Sequence, residues 1–228
     1  MDYSEKMGNF KLRKTIITMR LHKIICAIVV LLFLIPVTAS AQKLKGKDQL
    51  VTISTPQGEI KLVLFDDTPK HKENFLKLAK DGYYDGTTFH RVIDGFMIQG
   101  GDPNSKDEDP NNDGSGNPGY TLPAEINSKY KHVRGSVAAA RLGDQVNPMK
   151  ESSGSQFYIV ENHDGTPMLD EAYTVFGQVV DGLDVIDKIA EQPTNQRNRP
   201  LTDIKMKVSV ENVKKKKIAK KYNYNYNL

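Results

Sequence analysis

The sequence predicts a mainly β domain, a sandwich or a closed barrel, interrupted by two helices. Eight short apolar runs lie between Leu50 and Val210, separated by turn-forming residues. Two stretches show instead the three-to-four-residue apolar spacing of a helix. The segment from Asp48 to Val213, about 170 residues, is long enough to bury one core.

Taken in order, Leu50–Thr55 and Glu59–Phe65 flank Pro56-Gln57-Gly58, a hairpin turn. Thr68 is a suitable N-cap and Pro69 a suitable first helical residue. Phe75, Leu78 and Ala79 then share one helical face, and Gly82 ends the helix. Further strands follow at Thr88–Ile93, Phe96–Gln99, Ser136–Ala140, Gln156–Val160 and Thr174–Val180. Asp181 opens a second helix with an apolar stripe of Leu183, Ile186, Ile189 and Ala190, and Pro193 lies beyond its end. Ile204–Val210 is the eighth strand. So many short strands suit a sandwich or barrel, with the helices plugging or flanking its open ends.

The flanks read differently. Lys11, Arg13, Lys14, Arg20 and Lys23 form a basic leader, followed by an uncharged apolar run from Ile24 to Val37 and then Ala39-Ser40-Ala41. Residues 1–41 therefore read as a secretory signal peptide cleaved after Ala41, with Met1, Met7 or Met19 as the start. The expected location is periplasmic or secreted. An uncleaved inner-membrane anchor is the alternative, although the run falls short of the ~20 residues a bilayer span needs. Residues 42–47 read as a linker, 48–213 as the folded domain and 214–228 as a basic disordered tail.

Removing the leader changes the charge argument. The chain has 32 Lys+Arg and 28 Asp+Glu, of which the first 41 residues hold six and two, leaving 26 of each and no net charge. The basicity of the whole chain is therefore not a nucleic-acid footprint. The single cysteine, Cys26, lies in the apolar run, so the exported domain has no disulfide and is held by its core alone. In the tail, Lys214–Lys217, Lys220 and Lys221 precede alternating Tyr and Asn. A solvated, frayed terminus is expected, with weak contact to anionic lipid or nucleic acid as the sharper alternative.

The chemistry-bearing stretch is Phe89-His90-Arg91-Val92-Ile93-Asp94-Gly95-Phe96-Met97-Ile98-Gln99-Gly100-Gly101-Asp102. In extended chain, alternate side chains share a face. Arg91, with Phe96 and its neighbours, would line one apolar surface carrying a fixed cation and an amide. His90 points to the other face. No nucleophile elbow surrounds Ser152, Ser153 or Ser155, and His71, His132 and His163 have no sequence neighbour at metal-ligand spacing. No metal and no cofactor are expected. The polar loop from Pro103 to Pro118 contains Asp109-x-Asn111-x-Asp113-Gly114, half of a calcium loop, but position twelve is Tyr120 rather than Glu. It reads as a turn-forming loop.

Phe89-His90-Arg91, Gly95 to Asp102, Gly154-Ser155-Gln156-Phe157-Tyr158-Ile159 and Val175-Phe176-Gly177 resemble the signature segments of the cyclophilins, the prolyl cis-trans isomerases built on a closed eight-stranded antiparallel β-barrel capped by two α-helices. Asn74-Phe75, Gly82-Tyr83-Tyr84 and Gly135-Ser136-Val137-Ala138 fit as well, and the match runs in order from about Gln49 to Val210. The resemblance implies catalytic roles for Arg91, Phe96 and Gln99, and substrate-binding roles for Met97, Ala140, Arg141, Gln156, Tyr158, Met168, Leu169 and Tyr173. Tyr158 stands where a pocket phenylalanine is usual, Met168 where the animal enzymes have tryptophan, and Tyr173 where a groove histidine is usual. Strong inhibition by cyclosporin therefore does not carry over.

The implied mechanism follows from the peptide bond, whose rotation barrier comes from delocalisation of the nitrogen lone pair. A guanidinium aimed at the prolyl nitrogen accepts that lone pair as the bond twists, an interaction stronger in the twisted state than in either planar one. No proton is transferred, so the pH profile should be flat through neutrality. The expected substrates are proline-containing segments of unfolded or newly exported chains, met by a monomer. The alternatives are a non-catalytic module that binds proline segments or acts as a chaperone, and an interaction protein working through its loop and tail.

Overall fold

The computed structural model describes residues 44–226. The predicted signal peptide lies outside the described residues. From Leu44 onward the chain forms a compact unit.

Its centre is an eight-stranded antiparallel sheet in the order β10-β1-β2-β9-β6-β8-β4-β3. The strands are β1 (Lys47–Thr55), β2 (Gly58–Leu64), β3 (Arg91–Ile93), β4 (Met97–Gly100), β6 (Ser136–Ala139), β8 (Phe157–Val160), β9 (Val175–Asp181) and β10 (Lys207–Lys214). All eight predicted runs contribute. Residues just before β3 and just before β10 bring the two sheet edges together. Phe89 N–H donates to Ile204 O at 3.1 Å and Met206 N–H to Thr87 O at 2.8 Å, around an antiparallel bridge between Thr88 and Lys205. This closure leaves no long open edge for another chain to pair with. A two-stranded ribbon of β5 (Thr121–Leu122) and β7 (Ser152–Ser153) lies apart, too short to read from sequence.

Alternation sorts the side chains. Ile53, Ile60, Leu62, Val92, Ile98, Val137, Phe157 and Ile159 point into one core, each at most 2% exposed. Helices α1 (Pro69–Lys80) and α2 (Leu183–Ala190) add Phe75, Leu78, Ile186 and Ile189 to it. Their starts differ from expectation. Thr68 makes no capping bond, and its hydroxyl donates to Phe65 O instead. Glu125, far along the chain, caps α1, accepting from Lys70 N at 3.1 Å, His71 N at 3.0 Å and His71 Nδ1 at 2.6 Å. A carboxylate at that end satisfies orphan donors and suits the helix dipole. Asp181 does not open α2 but closes β9, and Gly182 is the N-cap.

The flanking boundaries are corrected too. Lys47 pairs with Lys214 as the last rung of the β1–β10 ladder, so the linker ends, and the domain begins, one residue earlier than expected. Within the predicted disordered tail, Lys215–Tyr222 form a helix instead, α3. Ile218 is fully buried among Leu50, Val63 and Val213 on the outer face of the sheet, with Tyr222, Tyr224 and Tyr226 packed alongside. The six lysines obscured the one isoleucine that anchors the segment.

Candidate active site

The register of the sheet assembles the site. Arg91 on β3 is opposite Gln99 on β4, Gln99 is opposite Tyr158 on β8, and Tyr158 is opposite Ala138 on β6. These side chains form one row on the outer face, because their neighbours Val92, Ile98, Phe157 and Val137 fill the core. Asp94-Gly95-Phe96 makes the β3–β4 turn, with Gly95 at φ +71°, a conformation glycine adopts at little cost. Phe96 is thereby aimed over the row. Its carbonyl accepts from Glu161 N at 3.0 Å and Asn162 N at 3.2 Å, tying the turn to the end of β8.

The resulting cavity, about 260 Å³, is lined by Arg91, Phe96, Met97, Gln99, Ala140, Arg141, Tyr158, Leu169 and Tyr173. Nine of the eleven residues implied by the resemblance thus come together. Met97, Tyr158, Phe96, Leu169 and Tyr173 belong to one apolar cluster with Phe65, Ala138, Val160 and Val175. The volume and lining suit one small apolar ring.

Arg91 stands at the edge of that seat. Its Nη1 lies 3.4 Å from Gln99 Oε1 and 3.9 Å from Met97 Sδ. Among the described residues it forms no ion pair, so its positive charge is not neutralised by any carboxylate. Burial lowers its pKa, an effect Tyr173 partly offsets. Arginine stays cationic regardless. A half-buried guanidinium with donors unspent is an electrophile held ready, whose reorganisation cost was met on folding. Arg141, the second cation of the lining, is committed elsewhere. It donates to Ala172 O at 2.8 Å, Leu142 O at 2.9 Å and Asp144 Oδ1 at 2.6 Å, and lies over the Tyr173 ring.

Gln156 sits behind the seat, not in its lining. Its Oε1 accepts from Gln99 Nε2 at 3.1 Å, and its own Nε2 donates to Gly114 O at 3.0 Å and Gly116 O at 2.7 Å. A chain of bonds therefore runs from Arg91 through two glutamines to the 103–118 loop. That loop is well anchored. Fully buried Asp102 accepts from Asn104 N at 2.8 Å, from Gly114 N and from Gly116 N at 3.3 Å. A Cβ at Gly116 would fall 2.1 Å from Asp102 Oδ1, so only glycine allows this approach. Asp113 pairs with Arg199 at 2.6 Å, while Asp107 and Asp109 accept from amides two residues on. The calcium-like spacing is a run of turns, as the turn-forming reading expected. Met168 is 72% exposed and outside the cavity lining, because the short 3₁₀ turn Pro167–Leu169 directs Leu169 inward instead.

Besides His71, which meets Glu125, two histidines gain partners that spacing concealed. His132 lies between Tyr158 Oη and Asp170 Oδ1, 2.9 Å from each. His163 groups with Glu161 and Asp187, with donor atoms within 4.8 Å of one another. There the Arg134 guanidinium already occupies the group, at 2.7 and 2.6 Å from the two oxygens of Asp187 and 3.2 Å from His163 Nδ1. His90 is buried, consistent with an interior role.

Fold and site together define a barrel that seats a small apolar ring beside a fixed cation. Residues 50–210 match the family described as cyclophilin type peptidyl-prolyl cis-trans isomerase, and the chain belongs to that family. It is 42% identical over 160 residues to peptidyl-prolyl cis-trans isomerase-like 3 of Rattus norvegicus, covering 69% of this chain and 92% of the relative. It is 41% identical over 158 residues to a peptidyl-prolyl cis-trans isomerase of Arabidopsis thaliana, covering 68% and 91%. The crystal structure of a cyclophilin-type isomerase of Cryptosporidium parvum superposes with a TM-score of 0.63 at 32% identity, over 72% of this chain and 98% of that one. The same parasite protein was also solved in the presence of the dipeptide Ala-Pro, with a TM-score of 0.62. The activity of the chain is accordingly peptidyl-prolyl cis-trans isomerisation. The match spans nearly the whole length of both relatives.

Proposed function

We propose that Arg91 carries the isomerisation, on X–Pro bonds of proteins exported with this one. The observation that carries the reading is an unpaired guanidinium at the lip of an apolar seat of proline size. Phe96, Met97, Tyr158 and Leu169 grip the pyrrolidine ring. Arg91 donates toward the prolyl nitrogen as its lone pair leaves conjugation, and Gln99 holds both Arg91 and the carbonyl side of the substrate. Reaching about a thousand turnovers per second from an uncatalysed time of tens of seconds requires roughly 7 kcal/mol. One preorganised donor supplies about 3–4 kcal/mol of it, and exclusion of water from the twisting amide the rest. The basic leader and apolar run of residues 1–41 support export, cleavage after Ala41 and action on newly translocated clients.

The test is isomerisation of a prolyl peptide by residues 42–228 beside Arg91→Ala. The variant should lose about 10²–10³-fold in kcat/KM. Equal rates would falsify the assignment of Arg91. Export is tested separately by N-terminal sequencing of the protein from a host cell envelope, where any start other than Gln42 speaks against cleavage after Ala41.

A further inference from the structure

The floor and one wall of the proline seat come from different parts of the chain. Tyr158 is on β8, whereas Leu169 is on the 3₁₀ turn Pro167–Leu169. No backbone ladder joins them. The side chain of His132, wholly buried, does. Its Nε2 is 2.9 Å from the Tyr158 hydroxyl, and its Nδ1 is 2.9 Å from Oδ1 of Asp170, the residue that ends the turn. Asp170 Oδ1 also accepts from His132 N at 2.9 Å, and His132 O accepts from Thr166 N, which begins the same turn, at 2.8 Å. The imidazole lies nearly parallel to the Tyr158 ring, and Tyr173 meets both rings edge-on.

The proton inventory closes. Asp170 is held ionised, because the His132 bonds and nearby Lys131 outweigh its burial. Burial keeps His132 neutral despite Asp170, and burial keeps the Tyr158 hydroxyl protonated. Nδ1–H therefore donates to Asp170, while Nε2 accepts from the Tyr158 O–H. Every proton has one place to go, so the link is directional and short.

We propose that His132 is a positioning residue for the isomerase reaction, fixing the gap between the Tyr158 floor and the Leu169 wall so that the seat is set to the proline ring before substrate arrives. The inference rests on the functional reading above. A phenylalanine at 158 would fill the same volume and lack the link, so the tyrosine hydroxyl is the part of this seat that His132 can hold. The seat grips the ring in planar and twisted states alike. Loosening it should thus raise KM and leave kcat nearly unchanged, unlike loss of Arg91, which acts on kcat.

The experiment measures kcat and KM separately, by exchange NMR with an Ala-Ala-Pro-Phe peptide, on residues 42–228. Tyr158→Phe keeps the ring and deletes the hydroxyl, and His132→Leu removes the post. Each should raise KM about five- to tenfold, the equivalent of one net hydrogen bond. His132→Gln, whose amide offers one acceptor and one donor at similar separation, should recover most of the loss. Melting curves identify any variant that fails to fold, and Tyr158→Phe alone then decides. Unchanged KM in folded Tyr158→Phe overturns the proposal, as does a fall in kcat at constant KM. An inactive wild type would instead overturn the isomerase reading itself, so the two failures are distinguishable.

Discussion

Replacing Arg91 by lysine separates charge from geometry. The guanidinium is a planar fork, weakly hydrated and permanently charged, with Nη1 set against Gln99 Oε1 at 3.4 Å. Lysine keeps the charge but presents a compact ammonium that lacks the fork. Losing a preorganised donor costs about 2.7–4 kcal/mol, and because the charge survives the lower end applies, about a hundredfold in kcat/KM. The replacement also creates a pH dependence. Burial already lowers the pKa of Arg91, and among the described residues no carboxylate pairs with it. A more strongly hydrated ammonium in the same place loses more on desolvation, so its pKa falls below the usual ~10.4. The cation is the active form and its proton leaves as pH rises. Activity of Arg91→Lys should therefore decline on the alkaline side below pH ~10, while the wild type stays flat. The assay is kcat/KM for a prolyl peptide between pH 6 and 10. Wild-type rates in Arg91→Lys, or a reduced rate with no alkaline decline, would refute the role given to the guanidinium.

Two further outcomes concern stability. Ile218→Ala removes a fully buried side chain that anchors α3; with a large-to-small cost of about 2–3 kcal/mol, the melting temperature should fall by roughly 5–10 °C, and a shift under 1 °C would mean that the C-terminal segment is undocked in solution. His71, His90 and His132 all have pKa values lowered chiefly by burial. The unfolded chain takes up these protons near pH 6.5 and the native protein only at lower pH, so stability is complete above that value and lost as pH falls through it. Melting temperatures should drop steadily from pH 7.5 to pH 5, and His90→Asn should flatten the slope, since it removes one of these buried imidazoles; a slope unchanged by that substitution would remove His90 from the account.

The sequence by itself determined the strands and the composition of the seat. Apolar alternation is local, and a period of two sent Arg91 and Gln99 to one face and Val92 and Ile98 to the other before any contact was known. The ordered signature segments also carried the family. What sequence left open depends on groups far apart in the chain. Glu125 caps α1 from more than fifty residues away, and propensity pointed to Thr68 because capping preferences describe only neighbours. Gln156 resembled a groove residue, but the loop carbonyls at Gly114 and Gly116 claim its amide. Residues 214–228 looked solvated because six lysines dominate their composition, whereas one isoleucine finding an apolar site on the outer sheet decides the structure of Lys215–Tyr222. The Tyr158–His132–Asp170 link had no signal in spacing at all. Side-chain period is a property of consecutive residues, but a buried hydrogen bond requires two groups to be desolvated in the same place, and only the closed barrel brings those groups together.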